Sequence, residues 1–194
     1  MTPKAFDKIA REMFSETLSP YGFLCDESDR STFYRSVGGG IWHVIMPDLG
    51  SRGAWYDVKV FPCCEHLQAR FRDRFPDELG IPTDSFCYLS QRGVGMDQDQ
   101  FACKTEGGCR SSYRNTVSRL LSEVAVPYLS QFRTLRDLLP VIRNPLYLAI
   151  AMHLVNKNSE SRLLVNQQRV RLEAVADDED VIATRNLLDS LLAS

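Results

Sequence analysis

The chain has 194 residues, with 23 lysines and arginines against 25 aspartates and glutamates, a formal net charge of −2. That length suits one domain, or one domain with a helical extension, and allows burial of roughly 70% of the unfolded surface without a disulfide or metal staple. The balanced charge gives no electrostatic case for nucleic acid as the main partner, and no apolar run approaches the ~18 residues of a membrane span, so a soluble protein is expected.

Thr2 and Pro3 predict an N-cap followed by proline at the first helical position, where its missing N–H costs nothing. Phe6, Ile9, Met13 and Phe14 then fall on one helical face, with Lys4, Asp7, Lys8, Arg11, Glu12 and Glu16 on the other. Ser19, Pro20 and Gly22 end this helix and tuck Tyr21 and Phe23 beneath it. Three β-rich runs follow at residues 31–37, 41–46 and 55–61, separated by Gly38, Gly39 and Gly40 and by the segment 47–53. Connections this short force antiparallel neighbours. Tyr56, Val58 and Val60 share one face of the third run, while Asp57 and Lys59 share the other. The middle run is apolar on both faces. The first run carries a conflict: Phe33 and Val37 want the core, yet Arg35 points the same way.

Pro62 closes the third run, and Leu67, Phe71 and Phe75 predict a short helix over 63–75. After a proline-containing connection at 76–83, residues 85–89 and 100–104 have weaker strand character. They form either a hairpin around residues 93–99 or an exposed loop. Beyond Gly108 the chain turns helical. Tyr113, Val117, Leu120, Leu121, Val124 and Tyr128 form one stripe, with Pro127 bending or dividing the helix near its end. Further helices are expected at 135–139, at 146–156 behind Asn144 and Pro145, at 159–174, and at 178–192 behind the acidic residues 177–180. The expected fold is α+β: an N-terminal helix on an antiparallel meander of three to five strands, residues 1–108, followed by an all-helical half, residues 109–194, packed on or beside it as one compact unit.

The opening helix, the Gly22-Phe23 turn, the Phe33-Tyr34-Arg35 strand and the segment Pro127-Tyr128-Leu129-Ser130-Gln131-Phe132 give residues 4–140 a resemblance to the bacterial family catalogued as domain of unknown function 4304. The resemblance implies no established activity, no catalytic residues and no cofactor. The Trp42-His43 pair and the helices after Asn144 fall outside it.

Candidate chemistry is sparse. The six cysteines, Cys25, Cys63, Cys64, Cys87, Cys103 and Cys109, follow a charged amphipathic helix rather than an apolar secretory segment, so reduced thiols in the cytoplasm are expected. Cys63, Cys64 and His66, completed by Cys103 and Cys109, could hold zinc, but adjacent cysteines rarely bind one ion and the C-x-x-C spacing is absent, so no metal is expected. At the start of a helix, with His66 in its first turn, Cys63 or Cys64 could instead be a thiolate nucleophile. The bland alternative is a pair of small residues at a strand-to-helix junction. Trp55, Asp57, Lys59 and Phe61, beside His43 or Tyr34, make a mixed aromatic and charged sheet face that suits a contact surface; otherwise it is a solvated face. The glycine run precedes a strand rather than a helix, so it is a hairpin loop and not a phosphate cradle. Arg162, Arg169 and Arg171 lack interleaved aromatics and mark a solvated helix face. The expectation is a non-enzymatic protein-binding module without cofactor, with immunity or toxin neutralisation as one version. The rivals are a small thiol-dependent enzyme or hydrolase using Cys63 or Cys64 with His66 or His43, and a helical-repeat scaffold.

Overall fold

Helix α1 (Pro3–Leu18) starts where its cap chemistry places it, with the Thr2 hydroxyl accepting from the Ala5 N–H at 3.4 Å and Pro3 in the first turn. It buries Phe6, Ile9, Met13 and Phe14, joined by Ala10 and Leu18. A 3-10 turn (Ser19–Tyr21) and Gly22, at φ +79°, end it. Phe23 turns inward as expected, whereas Tyr21 stays 39% exposed. The structure is a computed structural model that describes residues 1–26, 31–74, 87–89, 101–142 and 145–173. The chain divides into two compact units, Met1–Cys63 with Phe86–Arg133, and Cys64–Ser85 with Thr134–Ser194.

In the first unit, β1 (Leu24–Asp26), β2 (Thr32–Gly38), β3 (Ile41–Leu49), β4 (Trp55–Cys64) and β5 (Cys87–Tyr88) form an antiparallel sheet in chain order, and β6 (Phe101–Ala102) also pairs with β4. The consecutive pairing of the three central strands is as expected. β1 has no counterpart in the sequence reading, because three residues carry too little pattern to be seen. The expected hairpin partners β5 and β6 do extend the sheet, but each lies against β4. Tyr88 faces Lys59 and Cys87 faces Val60, while Ala102 faces Trp55 and Phe101 faces Tyr56. The residues 93–99 meant to join them lie outside the described residues. β3 and β4 both run longer than expected, through Pro47 and Pro62. Gly39 and Gly40 have φ of +60° and +73°, the positive pair a two-residue type I′ hairpin demands.

Register settles the conflict in β2. Phe33 lies opposite Ile45 and Arg35 opposite His43, so all four share one face, while Tyr34, Trp42 and Val44 share the other. α1 covers the first face, with Phe14 stacked 5.6 Å from Phe33 and Phe6 5.3 Å from Tyr56. The rest of the cover is one long helix: α3 (Glu106–Ser112), a π-helical turn (Tyr113–Val117), α4 (Ser118–Leu120), a second π-helical turn (Leu121–Ala125) and α5 (Val126–Leu129). Pro127 sits in the first turn of α5 and the backbone stays helical through it. The wider π turn just before it gives the proline ring room that a regular turn would deny.

The second unit is helical among the described residues: α2 (Glu65–Arg74), α6 (Leu135–Leu138), a 3-10 turn (Leu139–Val141), α7 (Pro145–Leu154) and α8 (Asn158–Glu173). Thr134 and Asp137 form a reciprocal capping box on α6. α7 and α8 form a hairpin through Asn156 at φ +64°, and the Ser161 hydroxyl donates to the Ala149 carbonyl at 2.9 Å. Leu67, Leu138, Ile142, Tyr147, Ile150 and Val165 are buried. Asn144, residues 177–180 and the expected helix over 178–192 lie outside the described residues. Among the described residues no helix is long and apolar enough to cross a membrane.

Candidate functional site

The chemistry concentrates where the covered sheet face changes from apolar to polar. Arg35 follows Phe33 on that face, and its guanidinium lies over the Phe23 ring, 4.7 Å from Cζ to the centroid. Its Nε donates to His43 Nδ1 at 3.1 Å, Nη1 to the Tyr21 carbonyl at 3.0 Å and Nη2 to the Ser130 hydroxyl at 2.9 Å. Ser130 follows directly on α5 and donates its own proton to the Val126 carbonyl at 2.7 Å. His43 is fully buried, and its Nε2 lies 2.7 Å from the Phe132 carbonyl, which can only accept. The imidazole is therefore a neutral Nε2–H tautomer with both nitrogens engaged.

Burial drives the His43 pKa below its ordinary value. The Phe132 carbonyl opposes that shift, while the charges of Arg35 and Arg133 reinforce it. Burial, followed by the charge of Arg133, likewise lowers the pKa of Arg35. A cleft of about 340 Å³ opens here, lined by Arg35, Val37, His43, Ser130 and Arg133. The lining has two cations and no carboxylate.

The residues expected to form a contact surface are mostly committed elsewhere. His43 is on the covered face and so is not beside Trp55, Asp57 and Lys59. Trp55 opens β4, and its ring lies over the β3–β4 turn, where it occupies the space a Cβ on Gly50 would need. Asp57 is 5% exposed and accepts the Val58 N–H at 2.6 Å. Lys59 forms an ion pair with Asp48 at 2.8 Å. Tyr34 lies on the far face with its ring 5.8 Å from that of Trp42. Its registered neighbour Leu24 is 64% exposed.

The thiols fall into two pairs, Cys63 with Cys64 at the end of β4 and Cys103, just after β6, with Cys109 in α3. Cys63 and Cys64 are the last residues of β4, and α2 begins at Glu65 directly after them, so they stand at a strand-to-helix junction. As consecutive strand residues they project to opposite faces. Cys64 is buried, Cys63 half-buried, and His66 is exposed in the first turn of α2. Cys103 and Cys109 are fully buried and hydrogen-bonded to each other. That bond pulls the Cys103 pKa down, helped by the N-terminal ammonium, and with burial pushes that of Cys109 up. Among the described residues no three His, Cys, Asp or Glu side chains gather as a metal ion would require. On α8 Arg162 is exposed, and the side chains of Arg169 and Arg171 lie outside the described residues.

Arg35, Ser130 and Arg133 did not emerge as site residues from the sequence. The available signal was the arginine interrupting the apolar alternation of β2; its partners are 8 and 95 residues away and only the fold brings them in. No protein-family model, curated protein or solved structure matches the chain.

Proposed function

We propose that the protein is a non-enzymatic cytoplasmic binding module that takes a protein partner on the sheet face bearing Leu24, Tyr34 and Trp42. The observation that carries this reading is Leu24, 64% exposed and registered against Tyr34, whose ring meets Trp42. Apolar side chains left in water cost about 25 cal/mol per Å² of surface, and an apolar segment of a partner would recover that free energy. The engagement of both His43 nitrogens supports a binding role over a catalytic one, since the ring has none left to take a proton from a nucleophile. The reduced thiols Cys25, Cys63, Cys64, Cys103 and Cys109 support a reducing compartment. Immunity or toxin neutralisation is the concrete version of this proposal, and the resemblance to domain of unknown function 4304, a family with no established activity, accords with it.

The test is a pull-down from native lysate with the natural chain and with Leu24→Asp, a change at an exposed site that leaves the core untouched. A stoichiometric partner kept by the natural chain and released by Leu24→Asp is expected. Recovery of no stoichiometric partner removes the binding reading, and equal retention by both proteins moves the contact away from this face.

A further inference from the structure

Arg35 presents an imbalance that packing does not explain. A guanidinium has five N–H donors and a permanent charge. Arg35 spends one donor each on an imidazole nitrogen, a backbone carbonyl and a hydroxyl, and it rests on an aromatic ring. Every one of these partners is neutral. Among the described residues two N–H groups find no partner, one on each terminal nitrogen, which is the number that a carboxylate or one edge of a phosphate accepts.

The surroundings deepen the imbalance. Burial already works against the charged form of Arg35, and the Arg133 guanidinium adds like-charge repulsion across the same cleft. His43 is neutral and therefore supplies no compensation. The Ser130 hydroxyl has given its proton to Val126, so its oxygen serves to fix the arginine. Arg35 is thus held in place from three sides while its charge is left unanswered. A preorganised cation of this kind, beside an open cleft of about 340 Å³, is what oxyanion recognition requires.

We propose that this cleft is a binding site for an oxyanion, held by the two remaining N–H groups of Arg35 and faced by the Arg133 guanidinium. Carboxylate and phosphate ligands share the chemistry. The site lies on the covered face of the sheet and stands independently of the surface bearing Leu24, Tyr34 and Trp42.

The experiment is an NMR titration of the full ¹⁵N-labelled chain with sodium phosphate and, separately, sodium acetate, at an ionic strength held constant with sodium chloride. The Arg35 Nε–H and the His43 ring protons are followed. Saturable shifts in one or both series are expected, and the series that saturates at lower concentration identifies the ligand class. Arg133→Gln, at an exposed position, should weaken the response by about tenfold, the loss of one charge-assisted contact. If Arg35 is only a structural clasp, neither phosphate nor acetate will move these signals beyond what chloride does, and the proposal fails. A Leu24→Asp chain that loses its protein partner but still shows the saturable shifts would separate this site from the proposed function.

Discussion

The Nε of Arg35 donates to Nδ1 of His43 at 3.1 Å, across the register that sets the two residues opposite each other on β2 and β3. One bond thus fixes the tautomer of a buried imidazole and the direction of a guanidinium at the same time.

The pH dependence of stability follows from this bond. Burial and two neighbouring arginines lower the His43 pKa in the fold, so the unfolded chain takes up the proton first as pH falls. The contribution of His43 is intact above the unfolded value of about 6.5 and is lost as pH drops from there through the folded value. Melting temperature should therefore fall between pH 7.5 and pH 5.5. His43→Gln should be less stable at pH 7.5 yet show a flatter profile across that window, and an unchanged slope would mean that another group titrates.

Tyr113 joins the long helix to α1. Its hydroxyl donates to the Met13 carbonyl at 2.7 Å and lies 2.6 Å from Thr17 Oγ1, which can donate to it in turn. Tyr113→Phe should cost about 1 kcal/mol in urea unfolding, the worth of a buried hydrogen bond. Burial pushes its phenol pKa up to about 12. The unfolded tyrosine ionises near 10, so the stability from this group is complete below about pH 10 and disappears as pH rises through the folded value. Ultraviolet titration at alkaline pH should lose one late-ionising tyrosine in the variant.

Phe14 is fully buried between two elements, 5.6 Å from Phe33 on the sheet and 4.9 Å from Tyr113 on the long helix. Phe14→Ala should cost about 3–5 kcal/mol, since it removes a large side chain where three elements meet and the cavity cannot collapse from any single side. Denaturant unfolding measures this. A loss under about 1 kcal/mol would mean that Phe14 is not where the layers are held together.

Gly50 lies under the Trp55 ring, and a Cβ there would run into Trp55 Cε2. Gly50→Ala must displace the indole, costing about 1–3 kcal/mol by overpacking. Because the ring would move toward water, the tryptophan emission of the folded variant should shift to the red. Unchanged emission and stability would contradict the placement of Trp55 over the turn.

Much of the first unit was legible in the sequence. The 3.6-residue spacing of Phe6, Ile9, Met13 and Phe14, the Thr2-Pro3 start and the glycine turn are local signals, and each concerns residues close together along the chain. α1, the up-and-down order of β2, β3 and β4, and the inward face of Tyr56, Val58 and Val60 followed from them. β1 escaped because a three-residue strand has no period to display. Cys63 and Cys64 were assigned to a helix start because Pro62 resembles a strand end. In the fold β4 carries the proline and continues to Cys64.

The tertiary structure alone decided the site. The sequence showed Arg35 as a misfit among apolar neighbours and His43 as one residue of a two-sided apolar run. Strand register put the two opposite each other, and the end of the long helix brought Ser130 and the Phe132 carbonyl onto them. Side-chain period tells which residues share a face of one strand. It carries no information about which residue of another strand or helix arrives on that face, because that depends on register and on packing between segments far apart in the chain.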